Sequence, residues 1–208
     1  GSLLVIRWIQ TVATPDPRLS AVRVLDRVIP GKGDGESLRE VLRDFPLAGS
    51  DGGLMRDISF GVCRHLRPLN HWLNQQLSKP LKASAQPVRL ALLAGLYELW
   101  FTERPAHAIV NAYPALCRKL KAPWAAGLSN AVLRKASQLR AEQVLADATP
   151  NIRLSLPDWL YKRWCQDWPD QADTIAHANL HTPPFTLRVN RQQQQRAGAI
   201  VALGEGAR

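Results

Sequence analysis

The chain has 208 residues, 46% of them hydrophobic, and a formal net charge of +10 from 27 Lys and Arg against 17 Asp and Glu. That apolar share lies in the globular range of roughly 45–50% and excludes a wholly disordered chain, and the length fits one or two domains of about 100–200 residues that need no disulfide staple. The longest apolar stretch, Leu3–Ile9, is interrupted by Arg7 and followed by no small-residue cleavage site, so neither a membrane span of ~20 residues nor a secretory leader is expected. Gly1-Ser2 stands where an initiator Met would and reads as a cloning scar or a processed end.

The pattern along the chain is helical almost throughout. Ser20 caps a predicted helix Ala21–Ile29, which Pro30 and the glycine-rich run Gly31–Gly35 terminate. That run lacks the G-x-x-x-x-G-K-[ST] spacing of a phosphate loop, and no strand precedes it, so it reads as a turn. Ser37 and Glu40 have the spacing of a capping box for a helix Leu38–Phe45. Leu54, Ile58, Val62 and Leu66 recur at i, i+4 in a third helix, and Leu69, Trp72, Leu73 and Leu77 share one face of a fourth. Pro87 suits the first turn of Val88–Phe101, a segment apolar on nearly every side and therefore the expected central helix. Helices near Asn111–Leu120 and Trp124–Leu139 follow, and short helices joined by short loops form a bundle. After Leu139 come Ala141–Ala148, then Pro157–Trp168 with Trp159, Leu160, Trp164 and Trp168, then Asp170–Leu180. Thr182-Pro183-Pro184 is a stop, Phe185–Val189 is the one strand signal, and Gln192 opens a helix to about Leu203. A strand without a partner makes no stable sheet, which suggests a truncated second domain.

The basic excess is localised. Residues 61–140 carry 12 Lys and Arg against two acids, Glu98 and Glu103, whereas the remainder balances 15 against 15. A field gathered in this way favours a polyanion, most simply a nucleic acid. Between residues 102 and 140 the cations are Arg104, Arg118, Lys119, Lys121, Arg134, Lys135 and Arg140. Arg134 and Lys135 must point in different directions on one helix. His107 could contact a phosphate or cap the helix that follows, and the cap is the favoured reading. Trp124, after Lys121-Ala122-Pro123, could stack on an unpaired base or pack in the first turn of its helix. Trp72, Trp100 and Trp164 fall on apolar faces and read as core; His65 and His71 read as surface. Cys63, Cys117 and Cys165 are odd in number and far apart, which fits ordinary thiols in a reducing, cytoplasmic compartment and no zinc site. His177 and His181 are four apart but have no further ligand nearby in sequence. No H-E-x-x-H, no G-x-S-x-G and no dinucleotide fingerprint occurs, so no catalytic residue is assigned.

Five stretches in order resemble one family. Phe60-Gly61-Val62-Cys63-Arg64 resembles F/Y-G-V-L-R, with Cys63 in place of Leu. Gly95-Leu96-Tyr97-Glu98-Leu99 followed by Pro105-Ala106-His107-Ala108-Ile109-Val110-Asn111 resembles G-L-Y-Q-L and P-A-H-A-A-V-N. Lys121–Arg134 resembles K-x-x-W-A-K-G-L-V-N-A-V-L-R, Leu156-Pro157-Asp158-Trp159-Leu160 resembles H-P-x-W-L, and Pro183–Arg191 resembles P-P-x-x-L-R-V-N-R. These are similar to the NusB-like N-terminal region of the bacterial 16S rRNA (cytosine-5) methyltransferase family RsmB, also called Sun or Fmu. The resemblance implies an all-α NusB-like bundle at residues 20–145, preceded by an extension at 1–19. At 146–208 it implies the mostly helical start of a truncated α+β domain that precedes the methyltransferase domain. It implies 16S rRNA as a partner and S-adenosylmethionine as the cofactor of the parent enzyme. The family's cofactor loop and its catalytic cysteines, in P-C and T-C motifs, would lie beyond residue 208. None of the three cysteines here follows Pro or Thr, so this chain is expected to bind and position RNA without methylating it or binding the cofactor. Its other partner would be its own C-terminal methyltransferase domain. A free NusB-type antitermination factor and a helical protein-interaction module are the competing readings. The tail Trp159–Arg191 speaks against the first, since a free factor should end near Arg140, and the localised charge speaks against the second. Against the family pattern, Gly52-Gly53 should delay the third helix and Pro114 should push the start of its helix to Asn111 or later.

Overall fold

Asp16 and Pro17 start the first helix. In the computed structural model, α1 spans Pro17–Val28, with the Asp16 carboxylate accepting from the N–H groups of Arg18 (3.0 Å) and Leu19 (3.3 Å). Helix α1 therefore begins four residues before the expected Ala21, because a side-chain cap and a proline with preset φ stand there together; Ser20 is buried inside it. The structure describes residues 16–31, 34–181, 186–193 and 195–203, the last stretch without the side chains of 199, 200, 202 and 203. The readings of residues 1–15, Lys32-Gly33 and Thr182–Phe185 lie outside them.

Helix α2 is only Leu38–Val41, continued by a 3-10 turn at Leu42–Asp44. The expected capping box does not form: Ser37 makes no side-chain cap, and its carbonyl accepts from Glu40 and Val41 N–H at 3.0 Å each. Helix α3, Gly49–Arg64, starts five residues before Leu54, so the glycine pair does not delay it. Gly49 takes the left-handed φ of 62° that turns the chain into the helix. Gly52 is buried against the chain before it, where a Cβ would stand 2.1 Å from the Leu47 carbonyl oxygen. One residue, His65, separates α3 from α4, Leu66–Gln76.

Helix α5, Gln86–Phe101, is buried on every side from Val88 to Glu98 and packs against α1, α3 and α4, as the sequence requires of a central helix. It also packs on α6, Ala106–Lys119, and α7, Ala125–Ala136. Helix α6 starts five residues before the expected Asn111, so Pro114 lies deep inside it and does not delay its start. The proline removes one N–H from the ladder, but buried Ile109, Val110 and Tyr113 on one side and Leu116 and Cys117 on the other hold the helix through it. One apolar cluster runs through α1 to α7. Trp72 is in it, meeting Trp100 edge-on at 5.0 Å, and the Trp100 indole N–H donates to the Ala136 carbonyl.

Four short helices follow, α8 (Ala141–Val144), α9 (Pro150–Arg153), α10 (Asp158–Asp167) and α11 (Ala172–Leu180), then α12 (Arg196–Leu203). Leu154, Leu156 and Ala176 form a small second cluster, against which Leu160, Tyr161, Trp164 and Leu180 pack. It leans on the bundle where α9 meets α4, through the Arg67–Asp158 ion pair and the Arg67 N–H donated to Ser155 Oγ. Residues 186–189 form no strand, and no strand occurs among the described residues, so no partner is present for the expected Phe185–Val189 strand. The architecture is all-α. Among the described residues no helix is long and apolar enough to cross a membrane.

Candidate nucleic-acid interface

A buried carboxylate fixes the geometry of the basic segment. Glu98, alone on the apolar α5, has no exposed surface and accepts two bonds from Arg18 at 2.8 Å each and one from the Tyr113 hydroxyl at 2.7 Å. Arg104 adds a guanidinium nitrogen 3.7 Å away and gives its other side to Asp57 at 2.7 Å, while the Tyr97 hydroxyl donates to the second Asp57 oxygen at 2.9 Å. This network ties α1, α3, α5 and α6 to one point. Desolvation, Glu98 and its hydrogen bond hold the Tyr113 phenol far above its ordinary range; burial and Asp57 push Tyr97 up to about 12. Both stay neutral donors at neutral pH.

Of the nine predicted contact residues, four meet at the α6–α7 corner. Arg118 and Lys119 occupy the last turn of α6, Lys121 follows it, and Trp124 immediately precedes α7. All four are exposed. The corner is a Schellman cap, in which Ala122 N–H donates to Cys117 O (2.9 Å) and Lys121 N–H to Arg118 O (3.0 Å). Lys121 fills the position usually given to glycine, with φ of 58°. Lys119 also donates to Asp16 at 2.6 Å, fastening the end of α6 to the start of α1. Burial works to raise the Asp16 pKa, but the bond to Lys119 and the capping N–H groups outweigh it and hold the carboxyl below its usual value.

The other five lie apart from that corner. Arg134 and Lys135, both exposed, sit in the last turn of α7, about 15 Å along the axis from Trp124, and Lys135 donates to Gln76. Arg140 is exposed in the loop before α8. His107 is exposed in the first turn of α6, whose cap position is Pro105 with no side-chain bond, so the favoured capping role is not what His107 performs. Arg104 faces Asp57 and Glu98 and has no free edge toward solvent comparable to the others. Trp124 is 61% exposed, so packing in the first turn is not its role either.

Along α7 and the turns at its ends one exposed stripe holds Trp124, Gly127, Ala131, Arg134 and Gln138, at i, i+3, i+7, i+10 and i+14, with exposed Lys135 beside it. A Cβ on Gly127 would meet nothing, so this glycine serves no packing need and leaves a low floor between the indole and the arginine. Cations in the last turns of α6 and α7 also complement the helix dipoles, a term of about 0.3–1 kcal/mol each. That accounts for neither the exposed indole nor the left-handed lysine.

The sequence reading missed the Glu98 network. Its one signal was a lone acid in an otherwise apolar helix. It also took His65 for a surface residue, whereas the ring is stacked on Phe101 at 3.9 Å and burial, with nearby Arg64, lowers its pKa to about 4. His71 is half-buried and bonds Gln75. Cys117 is buried and Cys63 and Cys165 half-buried, all free; burial pushes the Cys63 thiol up to about 11, the opposite of an activated nucleophile. His177 and His181 gather no metal-binding group among the described residues.

The fold is an all-helical bundle with a cluster of exposed cations and an exposed tryptophan at the α6–α7 corner. The NusB family model matches residues 15–138, and the chain belongs to that family. A second model, the Methyltr_RsmF/B-like, ferredoxin-like domain, matches residues 156–206. The chain is similar to ribosomal RNA small subunit methyltransferase B of Pseudomonas putida, 40% identical over 91% of this chain and 44% of that protein. It is similar to the protein of the same name from Pseudomonas syringae pv. tomato, 40% identical over 87% and 40%, and from Sodalis glossinidius, 36% identical over 89% and 43%. The chain thus spans less than half the length of these curated relatives.

Proposed function

We propose that this chain is the RNA-binding N-terminal part of an S-adenosylmethionine-dependent 16S rRNA (cytosine-5) methyltransferase. It grips rRNA and positions it for a catalytic domain contributed by the rest of the protein. One observation carries the reading: a NusB match at 15–138 is followed in the same chain by a methyltransferase-associated match at 156–206. A free NusB-type factor needs only the first. The bundle belongs to residues 20–145 and the start of the following domain to 146–208. S-adenosylmethionine is the methyl donor of the whole protein, and the compartment is the cytoplasm. Within this chain the work is binding. Arg118, Lys121, Trp124, Arg134 and Arg140 supply unpaired cations and a stacking surface, with Lys119, Lys135 and His107 at their borders. Arg104 serves the fold.

Salt titration of the binding constant for a structured 16S rRNA fragment tests this. With about four phosphate contacts, log K falls against log salt with a slope of roughly −3 to −4. The double reversal Arg118→Glu/Lys121→Glu lowers affinity and flattens the slope, while the thermal transition stays in place because neither side chain has an internal partner. Lys119→Glu is the wrong probe, since it also breaks the Asp16 clasp. Affinity flat between 50 and 200 mM salt, or indifferent to the double reversal, would refute the reading.

A further inference from the structure

The solvent face of α3 carries a combination that the α6–α7 interface does not use. Gly53, Arg56 and Phe60 are exposed and Arg64 half-buried, at i, i+3, i+7 and i+11, while Ile58, Ser59, Gly61 and Val62 face the core. The helix cannot roll to hide Phe60. A Cβ on Gly61 would stand 1.9 Å from the Tyr97 ring, so Gly61 is locked against α5 and its neighbour is held outward. Phe60 remains 46% exposed.

The two arginines lack anions among the described residues, as do Arg118, Lys121, Arg134 and Arg140; what sets them apart is that they stand one on each side of an exposed phenyl ring. Arg18, Arg27, Arg67, Arg104, Lys119 and Arg163, by contrast, each pair with a carboxylate. The nearest acid on the helix, Asp57, is already taken by Arg104 and the Tyr97 hydroxyl. Arg56 leans back toward Gly52, its Nη1 3.2 Å from where a Cβ would be, and Arg64 adds positive charge beside Tyr97 and His65. An aromatic ring thus stands in water with an uncompensated guanidinium on either side.

A ligand that satisfies this face must offer a flat apolar surface with anions on both sides. With a rise of 1.5 Å per residue, each arginine backbone lies about 6 Å along the axis from that of Phe60, the scale of one nucleotide. We propose that Arg56, Phe60 and Arg64 form a single-stranded RNA contact, in which one base stacks on Phe60 and its flanking phosphates pair with Arg56 and Arg64. An acidic peptide would meet the charges but not the ring. The inference rests on the RNA-binding reading above and extends it. This face adjoins the Arg104 turn that precedes α6, whereas the Arg118–Trp124 corner lies at the other end of α6, about 20 Å away. Bound RNA would run from one to the other.

The test is fluorescence anisotropy of the whole chain with a labelled single-stranded 12-nucleotide RNA and with a 12-base-pair RNA duplex. Phe60→Ala weakens single-strand binding about 5-fold or more, leaves duplex binding within about twofold, and is rescued by Phe60→Trp. Arg56→Gln/Arg64→Gln reduces the single-strand salt slope by about 1.4, two contacts at about 0.7 each. Circular dichroism melts confirm that the variants fold. If Arg118→Glu/Lys121→Glu weakens binding while Phe60→Ala does not, this site is wrong and the RNA-binding reading stands. If the wild-type chain binds neither RNA, the functional reading itself fails and this site with it. If polyglutamate displaces the single strand as well as an unlabelled RNA of equal charge does, and Phe60→Ala has no effect, the face takes an acidic polypeptide and the proposal is overturned.

Discussion

Lys121 shows how one residue can serve two demands that oppose each other. Its left-handed backbone closes the Schellman cap of α6, a place where glycine is free of the steric cost that an L side chain meets. Its side chain is exposed and makes no bond, so nothing in the fold needs a lysine there. Lys121→Gly is therefore expected to stabilise the bundle by about 1 kcal/mol in urea unfolding while weakening RNA binding. Unchanged affinity would mean that the lysine is a tolerated strain without a function. Ser155 occupies the same position after α9 with φ of 54°, but its hydroxyl accepts the Arg67 N–H, so there the strained residue has a structural partner. At this scale the cations were legible in the sequence and their partners were not. Arg104 and Arg118 look alike as letters; only the fold brings Asp57 and Glu98, 47 and 6 residues away from Arg104, to one of them.

Among the elements, legibility followed how strongly packing overrides local preference. Helix α5 was readable because apolar residues on every side leave no alternative to burial. Helix α1 starts before the expected Ala21 because Asp16, not Ser20, is its cap, and α3 and α6 start before their expected positions because glycine and proline do not break them. Pro17 sits where a missing N–H costs nothing, Gly49 and Gly52 allow a tight entry, and Pro114 is carried by the buried residues on both sides. Gly127 is the opposite case, a glycine that no contact requires. Gly127→Ala should raise the stability of α7 by about 0.5–1 kcal/mol, or roughly 1–4 °C in melting temperature. If Gly127 keeps the floor between Trp124 and Arg134 low for a ligand, the same change lowers RNA affinity. A drop in melting temperature would show that the helix needs glycine there, against the open space around it.

At the scale of the whole molecule, cohesion is uneven. The main core runs through seven helices around the buried Glu98, which accepts three bonds from Arg18 and Tyr113, whereas the second cluster has only Leu154, Leu156 and Ala176 fully inside. Two neighbouring tryptophans, Trp159 at 71% and Trp168 at 49% exposure, stay outside it in water. What fastens it to the bundle is mostly polar: the exposed Arg67–Asp158 pair and the Arg67 N–H donated to Ser155 Oγ at 3.4 Å, with the Asn151 amide of the same segment steadying the Asp158 carboxylate at 2.6 Å. Asn151 and then Arg67 hold the Asp158 carboxyl below its usual pKa, but solvent screens exposed pairs of this kind and they add little to stability. Few buried apolar groups and exposed ties are the marks of a segment that opens before the rest. Native-state hydrogen exchange should therefore find α5 amides exchanging only through global unfolding, while amides of α10 and α11 exchange with markedly lower protection. Their opening should also be promoted by Arg67→Ala. Equal protection across α5, α10 and α11 would mean that the two clusters unfold as one unit, and that residues 150–180 draw stability from the bundle beyond what these few contacts provide.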